Sequence, residues 1–248
     1  MKQLFLFFIL SIWALTGVQA QDSKGKILFV VTSHGELGNT GKETGYYLSE
    51  VAHPWDVLTK AGYEIDFVSP KGGKVPVDGF DLEDPINKKV WEDETFQQKI
   101  NNTLKPKQVE VSDYQVIHYA GGHGTMWDFP KNKKLANIAA DIYEQGGVVS
   151  AVCHGPAGLV NIKLNDGSYL VDGKTISTFT NEEEEAMKLD NVVPFALETK
   201  LIERGAKVDK AANWEEKVSV DGRLITGQNP ASAHLLGEKI VETLQENK

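Results

Sequence analysis

The sequence predicts an α/β fold in which a mostly parallel sheet carries helices on both faces. Two observations lead to this prediction. Short apolar runs such as "KILFVVTS" (26–33) and "VVSAV" (148–152) show no alternation of polar and apolar residues, which is typical of strands buried on both faces. Segments with helical periodicity, such as "KKLANIAADIYEQGG" (133–147), lie between such runs. Strands that alternate with helices at this spacing favour a parallel sheet.

The remaining elements continue this alternation. Further strands are predicted at 63–70 and 114–119, and further helices at 44–62, 93–104, 193–205 and 229–245. A long loop or lid is expected at 71–90, because this segment is rich in Gly, Pro and Asp. Hairpins are expected to turn at Asp172-Gly173 and at Asp221-Gly222. Since the sequence contains neither an internal repeat nor a linker, residues 21–248 are predicted to form one domain.

The N-terminal residues 1–20 are predicted to be a secretory signal peptide. Lys2 precedes an apolar run from Leu4 to Leu15, and small or polar residues lead up to Ala20. A span of the bilayer takes roughly 20 apolar residues, so this run is short for an uncleaved anchor. We therefore expect cleavage after Ala20 and an exported protein, periplasmic or secreted, with no membrane segment after cleavage.

The charge of the chain argues against two classes of main partner, nucleic acids and anionic membrane surfaces. The formal net charge is -9, whereas nucleic acids and anionic membrane surfaces favour proteins with a basic patch. The chain also contains a single cysteine, Cys153, which therefore has no partner for an intramolecular disulfide.

Cys153 is the candidate nucleophile. It follows the predicted strand 148–152 and precedes His154 and a Gly-Pro helix start, and sites in open α/β sheets lie at the carboxyl ends of strands. The positive end of that helix is expected to lower the pKa of the thiol. The backbone N–H of His154 can donate to an oxyanion. A buried structural cysteine is the alternative.

The segment "AGGHG" (120–124) also ends a predicted strand. Its glycines allow a backbone to approach a ligand closely, so Gly122 is a candidate second oxyanion donor, with a tight turn as the alternative. His118 and His123 are nearby, but His118 lies within the strand and no Cys or acid completes a set of ligands. We therefore expect no metal site.

Two carboxylates are further candidates. Glu50 lies among apolar residues of the predicted helix 44–62. It belongs either to a solvated face or, turned inward beside a thiol, to a site where burial would raise its pKa and suit it to proton transfer. "NEEEEAM" (181–187) is typical of a charged helix start with Asn181 as its cap. One of its glutamates could orient His154, and the sequence leaves open which of Glu182–Glu185 it is.

These segments together resemble the ThiJ/PfpI superfamily, which is related to class I glutamine amidotransferases and has a flavodoxin-like, doubly wound fold with a cysteine nucleophile elbow. The segments that carry the resemblance span the mature chain in order: "TGYYLSEVAHPW", "FVSP", "AGGHGTMWDFP", "GGVVSAVCHGPAGL", "GKTISTFTNEEEE" and "DGRLITGQNPASAH". The resemblance implies that Cys153 is the nucleophile beside His154, that Glu50 is a buried acid at the thiol, and that Glu184 orients His154. It also implies an oxyanion hole made by the backbones of Gly122 and His154.

Within the superfamily the sequence is similar to glutathione-independent glyoxalases, also described as heat-shock chaperones and protein deglycases. This implies conversion of methylglyoxal or a related 2-oxoaldehyde to a 2-hydroxy acid (a D-lactate dehydratase, or glyoxalase III) through a Cys153 hemithioacetal, with no cofactor. Glycated proteins are a second expected substrate, and a homodimer is expected by analogy. Glutamine hydrolysis is not expected, because the late His234 is followed by Leu235 and Leu236 rather than by a His-x-Glu pattern. A non-catalytic holdase chaperone and, less favoured, a cysteine peptidase are the alternatives.

Overall fold

The computed structural model describes residues 23–246, so the predicted signal peptide at 1–20 lies outside the described residues. The strands, in chain order, are β1 (Lys26–Val30), β2 (Tyr46–Tyr47), β3 (Glu64–Val68), β4 (Val77–Asp78), β5 (Tyr114–Tyr119), β6 (Val148–Val152), β7 (Thr175–Ile176), β8 (Lys207–Val208), β9 (Val218–Asp221) and β10 (Leu224–Gly227). The α-helices are α1 (Leu48–Lys60), α2 (Pro85–Trp91), α3 (Glu94–Ile100), α4 (Thr125–Asp128), α5 (Lys133–Glu144), α6 (Asn181–Ala186), α7 (Leu197–Glu203) and α8 (Ala233–Glu246).

The central sheet has six strands in the order β3-β1-β5-β6-β10-β9. All neighbouring pairs are parallel except β10 with the edge strand β9. The predicted α/β fold with a mostly parallel sheet is therefore confirmed. Two short parallel pairs, β2 with β4 and β7 with β8, lie outside this sheet.

Both faces of the sheet are covered by helices. Successive residues of a strand point to opposite faces, and along β1 the side chains of Ile27 and Phe29 join one apolar core, while those of Leu28 and Val30 join the other. The core on the first face includes apolar residues of α1, α3 and α8, and the core on the second includes those of α5 and α7. This two-sided burial is why these strands show no polar alternation in the sequence.

One of the two predicted hairpins is confirmed. Asp221 and Gly222 turn between β9 and β10, and Gly222 has a φ of 60°, which glycine adopts at little cost. The hairpin predicted at Asp172-Gly173 is wrong. β7 instead pairs in parallel with β8, and Leu170 and Val171 are buried in the core rather than alternating along a strand.

The loop predicted at 71–90 contains an element that the prediction missed. The helix α2 begins within it, because the Asp84 side chain accepts hydrogen bonds from the backbone N–H groups of Ile86 and Asn87 and Pro85 occupies the first turn. The same segment contains β4, which pairs with β2, so the helix predicted at 44–62 begins only at Leu48. None of the helices within residues 23–246 combines the length and apolar character needed to cross a membrane.

Candidate active site

The backbone at the end of β6 turns sharply at Cys153. This residue has a φ of 58°, a left-handed conformation that costs a non-glycine residue roughly 1–2 kcal/mol. Hydrogen bonds on both sides hold it: its N–H donates to the carbonyl of Gly227 (3.0 Å), and its carbonyl accepts from the N–H of Phe179 (2.9 Å). These hydrogen bonds maintain the strained backbone and so place the thiol at the carboxyl end of the parallel sheet, as the sequence predicts for a nucleophile elbow.

The surroundings of the thiol differ from the expectation in one respect. The element that follows the elbow is a single 3-10 turn, Gly155–Gly158, which offers little of the dipole of a full helix. Burial raises the pKa of the Cys153 thiol well above its ordinary value, and the charge of Glu50 raises it further, whereas the backbone N–H of His154 lowers it. The expectation of a thiol whose pKa is lowered by a helix end is therefore wrong.

Glu50 points inward from α1 and is fully buried, so a place on a solvated face is excluded. Its carboxyl group faces the Cys153 thiol and the backbone of Gly121. Position 121 requires glycine, because a Cβ there would collide with the backbone carbonyl of Val152 as well as with Glu50 Oε2. Neither carboxyl oxygen makes a hydrogen bond of ordinary geometry to another described residue. Burial raises the pKa of Glu50 to about 8.

Two histidines and a second carboxylate form another group of side chains next to the thiol. His154 Nδ1 lies 3.4 Å from Cys153 Sγ, and its Nε2 lies 2.8 Å from Glu184 Oε2. His123 Nε2 lies 3.0 Å from the other oxygen, Glu184 Oε1, and the two imidazole rings are 4.0 Å apart. Glu184 thus holds both rings, and the structure resolves which of the four glutamates contacts His154.

The charges of these groups follow from the contacts. Burial raises the pKa of Glu184, but the hydrogen bonds from His123 and His154 outweigh it and bring the pKa to about 2, so the group is a carboxylate. Burial, helped by the charge of His123, lowers the pKa of His154 to about 4, so this imidazole is neutral at pH 7. Because its Nε2–H donates a hydrogen bond to Glu184, its Nδ1 is the unprotonated nitrogen and faces the thiol.

The other glutamates of α6 have structural contacts. Glu183 is fully buried and forms a capping box with Thr180, which caps the helix one residue before the predicted Asn181. Glu182 pairs with the exposed Lys210, and Glu185 is exposed. One turn of helix therefore separates four identical residues into different environments.

The two predicted oxyanion donors border the same cavity as Cys153. Gly122 has a φ of 98°, and a Cβ at this position would collide with the backbone carbonyl of Gly45. Within residues 23–246, neither the N–H of Gly122 nor that of His154 donates to another backbone carbonyl. Both are placed where they could donate to a bound oxygen, and their role stays a prediction.

One group of side chains in the site could hold a metal ion. His123, His154 and Glu184 each offer one ligand atom, and these atoms lie within 4.8 Å of one another. Two histidines and a carboxylate suit a transition metal. The sequence did not indicate this set, because it brings together residues from three distant segments, and the expectation that the site uses no metal stays a prediction. His118 is not part of the set: it is buried in β5 and contacts Ser150 (3.1 Å).

A cavity of about 400 Å³ opens above the thiol. Its lining includes Tyr47, Asp78, Gly122, His123, Cys153, His154, Phe179, Met187, Trp214 and Pro230. The sequence singles out Gly122, Cys153 and His154 and considers His123 only as a metal ligand, and it does not indicate the other side chains of the wall. None of these carries a local signal, since tertiary packing alone brings them together.

Fold and site together define the class of protein: an α/β protein with a strained cysteine elbow at the carboxyl edge of its sheet, flanked by a protonatable glutamate and a His-Glu pair. Residues 43–243 match the DJ-1/PfpI family, and the chain belongs to this family.

Several relatives extend this similarity over most of the chain. It is 36% identical over 238 residues to the glutathione-independent glyoxalase HSP31 of Saccharomyces cerevisiae, covering 89% of this chain and 98% of the relative. It is 33% identical to glyoxalase 3 of Candida albicans, covering 90% and 99%. Among solved structures, glyoxalase III of Candida albicans has a TM-score of 0.79 at 32% identity, covering 88% of this chain and 97% of that one. Rapid Encystment Protein 24 KDa of Francisella tularensis has a TM-score of 0.85 at 40% identity, covering 89% and 99%.

Proposed function

We propose that this protein is a glutathione-independent glyoxalase that converts methylglyoxal, or a related 2-oxoaldehyde, to the 2-hydroxy acid. The observation that carries the proposal is the buried Glu50 beside the Cys153 thiol, with its pKa raised to about 8. A group that must both take and give a proton works best when its pKa lies near the operating pH. The names of the yeast relatives, glutathione-independent glyoxalase and glyoxalase 3, support the same reaction.

The first step is addition of the Cys153 sulfur to the aldehyde carbon, C1. The Glu50–Cys153 pair enters with one proton between its two groups. As the C1–S bond forms, that proton moves through Glu50 to the former aldehyde oxygen, giving a hemithioacetal and leaving Glu50 as a carboxylate. The backbone N–H groups of Gly122 and His154 stabilise the negative charge on this oxygen while it develops.

The second step is an internal oxidation and reduction. Glu50 removes the hydrogen of C1 as a proton, and the electron pair of that bond forms an enediol with C2. Glu50 then returns the proton to C2, while the proton of the C1 hydroxyl passes to the C2 oxygen. C1 has been oxidised to a thioester and C2 reduced to a carbinol, so the step needs no external oxidant or reductant.

The third step releases the product. Water adds to the thioester, with His154 Nδ1 as the base that accepts its proton, and the C1–S bond breaks. The departing Cys153 sulfur takes the proton that His154 accepted, so the products are the 2-hydroxy acid and the free thiol, and the Glu50–Cys153 pair again holds one proton. Glu184 keeps His154 in the required tautomer throughout, since it accepts the hydrogen bond from the Nε2–H group.

The test is incubation of the purified mature protein with methylglyoxal in the absence of glutathione, followed by an enzymatic assay for D-lactate. Wild type should form D-lactate, and Cys153→Ala should reduce the rate to background. Equal rates in the two proteins, or no D-lactate from wild type, would contradict the proposal. Suppression of thermal aggregation should be measured on both, because a holdase would retain that activity without the thiol.

The sequence supports three further proposals. Export rests on the composition of residues 1–20, and N-terminal sequencing of protein from the cell envelope should begin at Gln21. Early glycation adducts on proteins are a second substrate, because they present the same carbonyl chemistry to the thiol. A homodimer follows from analogy alone, and light scattering of the purified protein measures it.

A further inference from the structure

The cavity above Cys153 is much larger than a three-carbon substrate requires. Its volume of about 400 Å³ lies within the range of roughly 300–1,000 Å³ that is typical of pockets for drug-sized ligands. Methylglyoxal would occupy only the floor of such a cavity, next to the thiol. The remaining space indicates that the substrate carries a larger group on C2.

The walls of that space are apolar and aromatic. Phe179, Met187 and Trp214 line it together, and the rings of Phe179 and Trp214 are 5.7 Å apart. Five large hydrophobic side chains of the described residues are exposed, and Met187 (44% exposed) and Trp214 (48%) are two of them. Exposed apolar groups that are gathered at one opening mark a binding surface, whereas single scattered ones are ordinary.

The backbone that carries Trp214, at the opening of the cavity, is held in place by hydrogen bonds. Trp214 has a φ of 67°, which is strained for a residue with a side chain, and its N–H donates to Glu183 Oε1 at 2.9 Å. The same buried oxygen accepts hydrogen bonds from Gln228 Nε2 (3.1 Å) and Asn229 Nδ2 (2.9 Å). A strained residue that persists because its surroundings fix it is typical of ligand contacts. Glu183, the residue before Glu184, therefore anchors the segment that carries the Trp214 side chain.

The charges of the cavity favour a neutral substituent. Asp78 lies in the wall, and the described lining includes no lysine or arginine. A substrate with a carboxylate on its distal end would meet a like charge and find no cationic partner.

From these observations, and resting on the proposed glyoxalase function, we infer that the preferred substrates are 2-oxoaldehydes whose C2 carries a neutral aryl or extended alkyl group. The aldehyde carbon lies at Cys153, and the substituent packs against Phe179, Met187 and Trp214. These side chains then determine specificity and take no part in proton transfer.

The experiment compares kcat/KM for phenylglyoxal and methylglyoxal in wild type, Trp214→Ala, Met187→Ala and Phe80→Ala. For each protein, kcat/KM for phenylglyoxal is divided by kcat/KM for methylglyoxal. Comparison of this ratio between proteins cancels the intrinsic reactivities of the two aldehydes. In a hydrophobic pocket even one methylene group changes specificity by roughly 10-fold or more, so the ratio should fall about 10-fold in Trp214→Ala and to a smaller extent in Met187→Ala. Phe80 is equally exposed but lies outside the cavity lining, and its variant should keep the wild-type ratio.

The possible outcomes separate the two proposals. If wild type converts neither aldehyde, both the glyoxalase function and this inference fail. If it converts methylglyoxal but the ratio is unchanged in Trp214→Ala and Met187→Ala, the function stands and the inference is overturned. Circular dichroism monitors folding, and if Trp214→Ala does not fold, the ratio in Met187→Ala decides alone. The 2-oxoaldehyde 4,5-dioxopentanoate, whose C2 substituent ends in a carboxylate, should be a poor substrate of wild type, and turnover of it at the rate of methylglyoxal would also contradict the inference.

Discussion

Glu50 faces the Cys153 thiol directly and Glu184 contacts it through His154, and both are buried, yet their pKa values differ widely. Burial raises the pKa of Glu50 to about 8, while burial of Glu184 is outweighed by hydrogen bonds from His123 and His154, which bring its pKa to about 2. The difference arises from the partners. Glu184 has two N–H donors, whereas the oxygens of Glu50 have no hydrogen-bond donor of ordinary geometry among residues 23–246.

This difference assigns the two carboxylates different tasks. A group with a pKa near neutrality can take and return a proton during turnover. A group that is always ionised can only accept hydrogen bonds and so orient the side chains that donate them. Two carboxyl groups whose environments separate their pKa values are a common arrangement for acid and base catalysis. Substitution of each carboxylate by glutamine tests whether its role follows its environment.

The largest expected effect is that of Glu50→Gln on turnover. Glutamine has nearly the same shape but cannot accept the C1 proton, so D-lactate formation from methylglyoxal should fall by roughly 10²–10⁴-fold. Glu185→Gln, an exposed neighbour of Glu184, is the control and should retain wild-type activity. Near-normal turnover in Glu50→Gln would remove this residue from proton transfer and leave it as a buried acid without a catalytic role.

The same substitution should stabilise the fold at high pH. The pKa of Glu50 is about 8 in the folded state and 4.5 ordinarily, so the folded state binds this proton more tightly than the unfolded state does. The stabilisation that results is fully present below pH 4.5 and is lost as pH rises through 8. At about 1.4 kcal/mol per unit, the loss has an upper limit of about 5 kcal/mol. Glu50→Gln lacks this loss, so its free energy of unfolding should exceed that of wild type by several kcal/mol at pH 9 and by little at pH 4.5.

Urea unfolding at the two pH values measures this difference. Glu184→Gln is the contrasting variant, because a lowered pKa stabilises the folded state above pH 4.5 and that contribution is lost as pH falls towards 2. It should therefore be less stable than wild type at pH 7. A stability difference between Glu50→Gln and wild type that does not change with pH would mean that Glu50 does not titrate in this range.

The sequence predicts the parallel sheet and the cysteine elbow, but it does not predict the environments of the thiol and of Glu50. The unalternating strands predict the parallel sheet, and the elbow at Cys153 follows from a strand end beside Gly-Pro. The sequence leaves Glu50 either inward or solvated, because a helix position alone does not show which face is buried. It also predicts a helix-lowered thiol pKa, which is wrong because burial raises the pKa of the Cys153 thiol and the element after the elbow is only the 3-10 turn Gly155–Gly158.

Other residues of the site could not have been predicted, for a physical reason. His123 and Glu184 are 61 residues apart, and their hydrogen bond exists only because the fold brings the turn after β5 next to α6. Trp214 lies in a segment without periodicity and is placed by a hydrogen bond to Glu183. In contrast, α2 could have been predicted, since Asp84-Pro85 is a recognisable helix start.

A smaller effect is expected from Glu184→Gln on activity. His154 would keep its ring against the thiol and its backbone N–H, but it would lose the partner that fixes its tautomer, so kcat should fall by about 10-fold. Because Glu184 raises the pKa of His154, the variant should also lower that pKa, which an NMR titration of the imidazole can follow. Glu185→Gln is again the control. A loss as large as that of Glu50→Gln would contradict the separation of roles.

The smallest expected effect is that of Asp78→Asn on the pH dependence of turnover. In the proposed mechanism the active form carries one proton on the Glu50–Cys153 pair, so kcat/KM should rise as pH increases through about 8. Burial is the main cause of the raised pKa of Glu50, and the negative charge of Asp78 adds to it. Removal of that charge should therefore lower the pKa, and the midpoint of the rise should move to lower pH by a few tenths of a unit, equivalent to about 0.5 kcal/mol or less.

The matched control is Asp81→Asn. Asp81 is exposed and three residues further along the chain, and it raises the pKa of Tyr47 but not that of Glu50, so its removal should leave the midpoint of the rise unchanged. Initial rates with methylglyoxal from pH 5 to 10 give the midpoints for the three proteins. The amplitude of the profile is not the readout, because Asp78 also lines the cavity and its loss can change KM. A midpoint that moves to higher pH in Asp78→Asn would show that the titrating group is not a carboxyl group destabilised by a nearby negative charge, and the assignment of the rise to Glu50 would be wrong.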